Sequence, residues 1–574
     1  MDNPSHSGIF NTVVKSFSPT ERAVFYCLAI IMFLSGLSVA FEVNQLFLTE
    51  VPSYGGTFTE GVVGAPRFLN PLLAISETDK ALVSLVYSGL LKHGADNEYA
   101  LQLAETYSVS EDGLVYTVKI RDNAFFHDSK PVTAPDVAFT IEMARDPIIK
   151  SPRQGNWEGV EVEIIDSKNI KFILKKPYAP FVENLTLGIL PAHVWKDATQ
   201  EEFPFSKYNI EPVGSGPYKL SSIKYNASGV PEIIILKSWK RHLPSKPNIA
   251  KLEMRFFKNE EDMLRAFESG DILAIAGISP AIAKNLEAND FKTITPIMPR
   301  VFGAFFNQNQ AVIFTHAEVR RALNSSVDKQ ALVDEVLKGY GFPLSGPIPS
   351  EVNLWQNDLA IEQGATTTRI DTARKILTDA GWKNNKDGIL EKKIKSGVIA
   401  LQFSLSTSDA PELKQTAEIL AATWNSLGAK VDVKIFEAGD LNQNVIKPRK
   451  YDVLLFGEVI GKDMDFYPFW HSSQRNDPGL NISQYANITA DKLLEEMRET
   501  TSASVREAKL KQFDEEIKKD LPTIFTYAPK FIYVISPEIK NATIPSLANQ
   551  SDRFLEIEKW YIETDNVWSI FAHN

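Results

Sequence analysis

Asp463 and Asp465 stand two residues apart in the stretch Gly457-Glu458-Val459-Ile460-Gly461-Lys462-Asp463-Met464-Asp465-Phe466. Paired carboxylates support acid–base hydrolysis when their surroundings split their pKa values, so a hydrolase acting outside the cytoplasm is one reading. Other chemistries fail on spacing. A phosphate loop needs four residues between its glycines and a Ser/Thr after the lysine; here three residues separate Gly457 from Gly461, and Asp463 would repel phosphate. A calcium loop opened by Asp463 would place Pro468 at the turn glycine and Gln474 at the closing glutamate. The eight histidines (His6, His93, His127, His193, His242, His316, His471, His573) are scattered singly, with no HExxH pair and no GxSxG elbow. Cys27 is the sole cysteine, which removes disulfide frameworks and CxxC sites. No cofactor or metal is expected, and the chain reads as a binding protein rather than an enzyme.

Composition narrows the partners. The 574 residues carry 61 basic and 72 acidic side chains, a net charge of −11. A nucleic-acid binder would instead cluster Lys and Arg to neutralise phosphates. The length exceeds one hydrophobic core, so two or three domains are expected.

The elements that must position these residues alternate between strand and helix signals in the C-terminal half. Ile399–Ser406 reads as a strand, and Pro411 opens a helix with Leu413, Ala417, Leu420, Trp424 and Leu427 on one face. Gly428 sits where a left-handed cap belongs, and Val431, Val433 and Ile435 alternate after it, which makes a βαβ unit. Val453–Phe456 reads as a further buried strand. Thr315 with Glu318 forms a capping box, Asp328 caps the next helix, and Asn259 caps a third that Gly270 stops before a strand over 272–276. From about 90 to 205, Tyr116–Ile120 and Lys171–Leu174 read as strands and Thr133–Met143 as a capped helix, an α+β insertion into a larger unit. Gly214-Ser215-Gly216-Pro217-Tyr218 is a tight turn or an interlobe crossover.

One segment departs from the globular pattern. Ala23–Phe41 is 19 residues without a charge, long enough to cross ~30 Å of hydrocarbon as a helix. Lys15 and Arg22 precede it and Glu42 and Glu50 follow, which places the N-terminus in the cytoplasm and the body outside. An uncleaved anchor is the favoured reading; a cleaved signal ending near Ser38-Val39-Ala40 is the alternative.

The run Leu103-Ala104-Glu105-Thr106-Tyr107-Ser108-Val109-Ser110-Glu111-Asp112-Gly113-Leu114-Val115-Tyr116-Thr117-Val118-Lys119-Ile120-Arg121 leads into Phe126-His127-Asp128 and Pro131–Val137. Asn70-Pro71-Leu72 precedes it. After it come Gly214–Tyr218, Phe267–Ile272, Phe306-Asn307, Val319–Leu323 with Asp328, and Tyr451-Asp452-Val453, in that order. This pattern, over roughly 54–535, resembles family 5 extracellular solute-binding proteins, the dipeptide and oligopeptide receptors of ABC importers.

The resemblance implies an α/β fold of the two-lobed periplasmic-binding-protein type (type II, large peptide-binding class) with an inserted α+β domain, and the uncharged run adds one N-terminal transmembrane helix before it. The expected division is 1–22 cytoplasmic, 23–41 anchor, 50–90 first part of lobe I, 91–205 insertion, 206–300 second part of lobe I, 301–528 lobe II and 529–574 return to lobe I. The implied protein is a single-pass, membrane-anchored, extracytoplasmic monomer that captures short peptides between its lobes and delivers them to ABC permease subunits. The alternative is the same scaffold binding a metal chelate, an oligosaccharide or a signalling peptide.

By the same resemblance Asp463 is the acid for the ligand's ammonium, with Asp465 the fallback. The family's usual tryptophan after the glycine is Glu458 here. An aromatic wall is then expected from Phe466, Tyr467, Phe469 and Trp470, with core packing equally open for Phe469 and Trp470. Asn307 is a candidate for ligand or lobe backbone, and Arg300, before the strand entering lobe II, for the ligand carboxylate.

Overall fold

The computed structural model describes residues 16–94, 98–287, 291–349, 366–395, 397–461, 463–545 and 547–572. His6, His573, Lys462 and most of the expected 1–22 segment lie outside the described residues.

The first element is α1 (Pro19–Leu46), 28 residues with none buried. It exceeds the expected 23–41 at both ends. Ser18 and Glu21 cap each other reciprocally, which starts the helix early, and the chain stays helical through Glu42 to Leu46. β1 (Leu48–Pro52) follows.

Lobe I is built on β2 (Gly55–Val63) and α2 (Glu77–Val86), the latter capped by Ser76. The chain then leaves the main sheet. β3 (Leu91–His93) pairs with β4 (Tyr99–Leu101). β5 (Ala104–Val109), β6 (Val115–Ile120), β7 (Glu161–Ile164) and β8 (Asn169–Ile173) form an antiparallel sheet in the order β5-β6-β8-β7. α3 (Ala134–Arg145), with Thr133 and Asp136 in a capping box, covers it, and the short α4 (Phe181–Asn184) follows.

The chain rejoins lobe I through Gly214–Gly216. A Cβ at Gly214 would lie 1.9 Å from the Val86 carbonyl, so glycine is required where the turn crosses the end of α2. β9 (Tyr218–Tyr225), β10 (Pro231–Ser238), β11 (Ile249–Phe257), β12 (Ala274–Ala276) and β13 (Lys292–Ile294) then build the sheet. Between β11 and β12 lies α5 (Glu260–Glu268), capped by Asn259 as the sequence indicates.

Lobe II opens with β14 (Arg300–Phe306), then α6 (Ala317–Ser326), α7 (Lys329–Val336) and β15 (Gly341–Pro343). The Thr315 capping box does not form. Thr315 sits in a 3-10 turn donating to the Val312 carbonyl, and Glu318 instead meets Lys392 at 2.7 Å. β16 (Lys383–Asn384), β17 (Leu390–Ile394) and β18 (Gly397–Ala400) make a small sheet that takes the front of the expected 399–406 strand. β19 (Gln402–Ser408), α8 (Pro411–Leu427) and β20 (Lys430–Phe436) form the expected parallel βαβ unit, closed by Gly428 at φ +110°. β21 (Val453–Val459), the short α9 (Tyr467–Trp470), α10 (Ile488–Glu499), α11 (Ala503–Asp520) and β22 (Thr523–Pro529) complete the lobe, in the sheet order β15-β22-β14-β21-β19-β20.

The chain returns through β23 (Tyr533–Ile535) to the lobe I sheet, whose order is β13-β23-β12-β2-β11-β10-β9. Arg553 then reaches Glu60 on β2 at 2.6 Å, an ion pair 2% and 0% exposed, and Tyr533 donates to the same carboxylate at 2.6 Å. β24 (Thr564–Trp568) pairs with β1. The two segments joining the lobes lie side by side: Ile297 bridges Lys530, and the Phe531 amide donates to the Pro296 carbonyl at 3.0 Å. The two crossing segments run antiparallel, and a pair of adjacent crossovers is where a hinge between lobes would lie.

Candidate functional site

β19, β20 and β21 run parallel, so their carboxyl ends share one edge of the lobe II sheet. β14 runs against β21 with Arg300 opposite Val459, which puts the hinge at that same edge. In open α/β sheets this edge is where ligands bind. The loop leaving β21 carries Asp463 and Asp465 towards the insertion.

The two acids have different fates. Asp465 is gripped by Arg498 at the end of α10: Nη2 to Oδ2 is 2.6 Å and Nε to Oδ1 is 2.9 Å. Tyr178 of the insertion donates to Asp465 Oδ2 at 3.3 Å. The guanidinium also lies 3.8 Å from the Tyr467 ring centroid and 5.3 Å from that of Tyr178. Burial works against the Arg498 charge, but the hydrogen bonds and charge of Asp465 outweigh it and hold its pKa above the ordinary value.

Asp463 has no such cation among the described residues. Burial, reinforced by the charges of Asp465 and Glu183, pushes its pKa up to about 7, against the pull of the backbone amides of Asp465 and Asp463. Glu183 on α4 accepts from the Tyr99 hydroxyl at 2.9 Å and stands 3.3 Å from His93 Nε2. Burial and the charges of Glu183 and Asp463 raise the Tyr99 phenol, so it stays a donor. The Ala179 amide donates to the Arg498 carbonyl at 2.7 Å, so lobe II and the insertion meet beside Asp463. Asp463, Asp465 and Glu183 thus stand close enough to act on one another, and among the described residues only Asp465 of the three is paired with Arg498.

Of the aromatic residues expected in a wall, Tyr467 lies at this corner, between Arg498 and His471, whose ring stacks on it at 4.1 Å. Phe466 and Trp470 are 1% and 0% exposed and belong to the lobe II core, against Phe513 and against Phe305 and Phe525. They form no wall, because the short α9 turns them inward. Asn307 is also withdrawn: buried, it donates to the Arg449 carbonyl at 2.9 Å and accepts from the amides of Asn309 and Gln310 at 3.1 Å each. Arg300 is partly buried at the hinge edge, where burial lowers its pKa and Glu77 of lobe I opposes that.

Glu458 occupies a different environment from a cleft aromatic. It faces Val301 across the ladder, on the same side of β21 as Leu454 and Phe456. It is 4% exposed, neither carboxylate oxygen has a hydrogen-bond partner, and burial raises its pKa well above the usual carboxylate range.

The remaining histidines are local. His127 and His242 hang on the Gly214–Gly216 turn, His127 partly buried and His242 buried, and desolvation lowers their pKa values to about 4 and about 3. Among the described residues no three His, Cys, Asp or Glu gather as a metal site. Sequence reasoning missed Tyr99, Tyr178, Glu183 and Arg498. No local motif marks them; the basic last turn of α10 is the faintest signal, since it follows the Asp loop in the chain.

The profile of "Bacterial extracellular solute-binding proteins, family 5 Middle" matches residues 98–478. The oligopeptide-binding protein AppA of Bacillus subtilis is 26% identical over 520 residues, covering 89% of this chain and 92% of that protein. The structure of AppA from the same organism in complex with a nonapeptide superposes with a TM-score of 0.70 at 25% identity, covering 89% of this chain and 100% of that one. The crystal structure of NikZ from Campylobacter jejuni in complex with Ni(L-His) gives 0.71 at 26% identity, covering 88% and 99%.

Proposed function

This chain belongs to family 5 of the bacterial extracellular solute-binding proteins, and from that premise we propose that it is a membrane-anchored receptor for short peptides, delivering them to an ABC importer. The observation that carries the reading is Asp463: a carboxylate enclosed between lobe II and the insertion, beside two other acids, with no cation paired to it among the described residues. A peptide's α-ammonium supplies the missing charge. Arg300 at the hinge edge is assigned to the ligand's carboxylate, and Tyr467 to the wall beside the ammonium.

The anchor in this proposal is α1, which is largely apolar, has no buried residue and is ~42 Å long at ~1.5 Å per residue. Held at the membrane, the receptor meets its transporter at high effective concentration. Titration calorimetry of the full-length chain in detergent against di- to nonapeptides tests the reading. Micromolar or tighter binding, lost on N-acetylation of the peptide, is expected; binding that ignores acetylation removes Asp463 as the ammonium site.

A second reading keeps the scaffold and changes the guest. It is favoured by Glu458, which puts a buried acid where the family's usual tryptophan is expected, and it is in keeping with NikZ, a relative crystallised with Ni(L-His). Native mass spectrometry of gently purified protein separates the two: a peptide mass supports the first, a chelate or sugar the second.

A further inference from the structure

The two ends of the body meet at the foot of α1. β1 and β24 form a five-residue antiparallel ribbon, from Leu48 opposite Trp568 to Pro52 opposite Thr564. The Ser569 amide donates to the Phe47 carbonyl at 2.8 Å, and Trp568 Nε1 donates to Asn44 Oδ1 at 2.8 Å. The Trp568 ring stacks on Phe47, with centroids 6.1 Å apart and planes at 29°. The last strand is therefore fastened to the last turn of α1.

The apolar groups at this junction face outward. Leu46 is 83% exposed, Ile570 71% and Phe571 73%, and the rings of Phe47 and Trp568 are about half exposed at 52% and 48%. They continue the exposed apolar surface of α1. Leu46 lies five residues beyond Phe41, the last residue of the uncharged run, or ~7.5 Å further along the axis. That depth matches the ~5–7 Å headgroup layer outside the hydrocarbon. Glu42, the first charge after the run, intermixes there with Asn44, Gln45 and the apolar groups, and further charges follow with Asp565 and the Glu50–Lys540 pair at 2.6 Å. Tryptophan beside polar groups at the end of a span is the composition of a membrane interface.

We propose that Leu46, Phe47, Trp568, Ile570 and Phe571 form a collar seated in the outer headgroup region of the bilayer that α1 crosses. The proposal rests on the reading of α1 as a retained span. The collar fixes lobe I to the membrane through both β1 and β24, so the closing motion belongs to lobe II.

The test uses the full chain with Cys27→Ser and Ile570→Cys, spin-labelled and reconstituted in vesicles of phosphatidylethanolamine and phosphatidylglycerol. Collision with a water-soluble nickel chelate should fall about 5-fold or more relative to a label at an exposed site far from the ribbon, such as Val398→Cys. Quenching by lipids brominated near the headgroup should weaken in Trp568→Phe. A label as open to the chelate as the distant one, or one shielded only when transporter membrane subunits are added, overturns the collar. Intact mass of the chain extracted from native membranes separates the two levels. A retained helix with an exposed label sinks the collar alone; a chain cut near Ala40 sinks the anchor and the collar with it.

Discussion

Arg498 and Asp465 form a bidentate pair, 2.6 Å at its shortest, in which the carboxylate side chain is only 11% exposed. The pair decides which of two neighbouring acids keeps a cation beside it and which, among the described residues, does not. Asp465 is spent inside lobe II, and its second contact, to Tyr178, reaches across to the insertion.

Removing the cation should therefore harm the fold before it harms binding. Arg498→Ala leaves Asp465 buried without its partner and strips the guanidinium from Tyr467. A loss of ~3 kcal/mol in unfolding free energy is expected by chemical denaturation. Asp465→Asn together with Arg498→Leu should recover part of that loss.

Asp463→Asn keeps the shape of the side chain and removes its charge. Affinity for a free-amine peptide should fall about 30-fold or more, the scale of breaking a buried charged hydrogen bond. N-acetylated peptide should bind the variant and the parent alike. Calorimetry of both ligands against both proteins checks this.

The pH dependence has a definite sign. The Asp463 pKa is raised to about 7 without ligand, and an ammonium beside it would lower that value, so binding below pH 7 releases a proton. Affinity should rise by up to tenfold per unit between pH 5 and 7 and level off above. In the free protein the same shift works the other way. The native state holds the proton more tightly than the unfolded chain, so Asp463's contribution to stability falls as pH rises from 3.8 to about 7. Binding measured in two buffers of different ionisation enthalpy reads the proton directly, and Asp463→Asn should release none.

Glu458 carries a cost without a visible return in the fold. Its pKa is raised by burial, so its contribution to stability is greatest below the ordinary carboxylate pKa and declines as pH rises towards the shifted value. Glu458→Met should stabilise the protein by ~1–4 kcal/mol near neutral pH, with less gain at pH 5. Thermal unfolding at both pH values measures it. A destabilised variant would mean that the carboxyl has a partner in solution.

Arg300→Gln tests the other end of the ligand. If the guanidinium receives the peptide's carboxylate, C-terminal amidation weakens binding to the parent, and that difference disappears in the variant. A parent indifferent to amidation removes Arg300 from the site.

Elements set by neighbours along the chain were legible in the sequence: the α8 stripe with its Gly428 cap, Asp328 and Asn259 as caps, and the alternation of β20. Their hydrogen bonds and side-chain periods close within a few residues, so composition and spacing suffice. The ordered motifs from Asn70 to Val453 likewise pointed to the family from residues alone. The site was different. That Asp463 and not Asp465 is left without a cation depends on Arg498, more than thirty residues later, and on Glu183, Tyr99 and Tyr178 from a domain hundreds of residues earlier. That Phe466 and Trp470 turn into the core while Tyr467 stays at the corner depends on the pitch of α9 against Phe305 and Phe513. Charge pairing and desolvation act through space between groups the chain order does not place together, so only the folded lobes decide them.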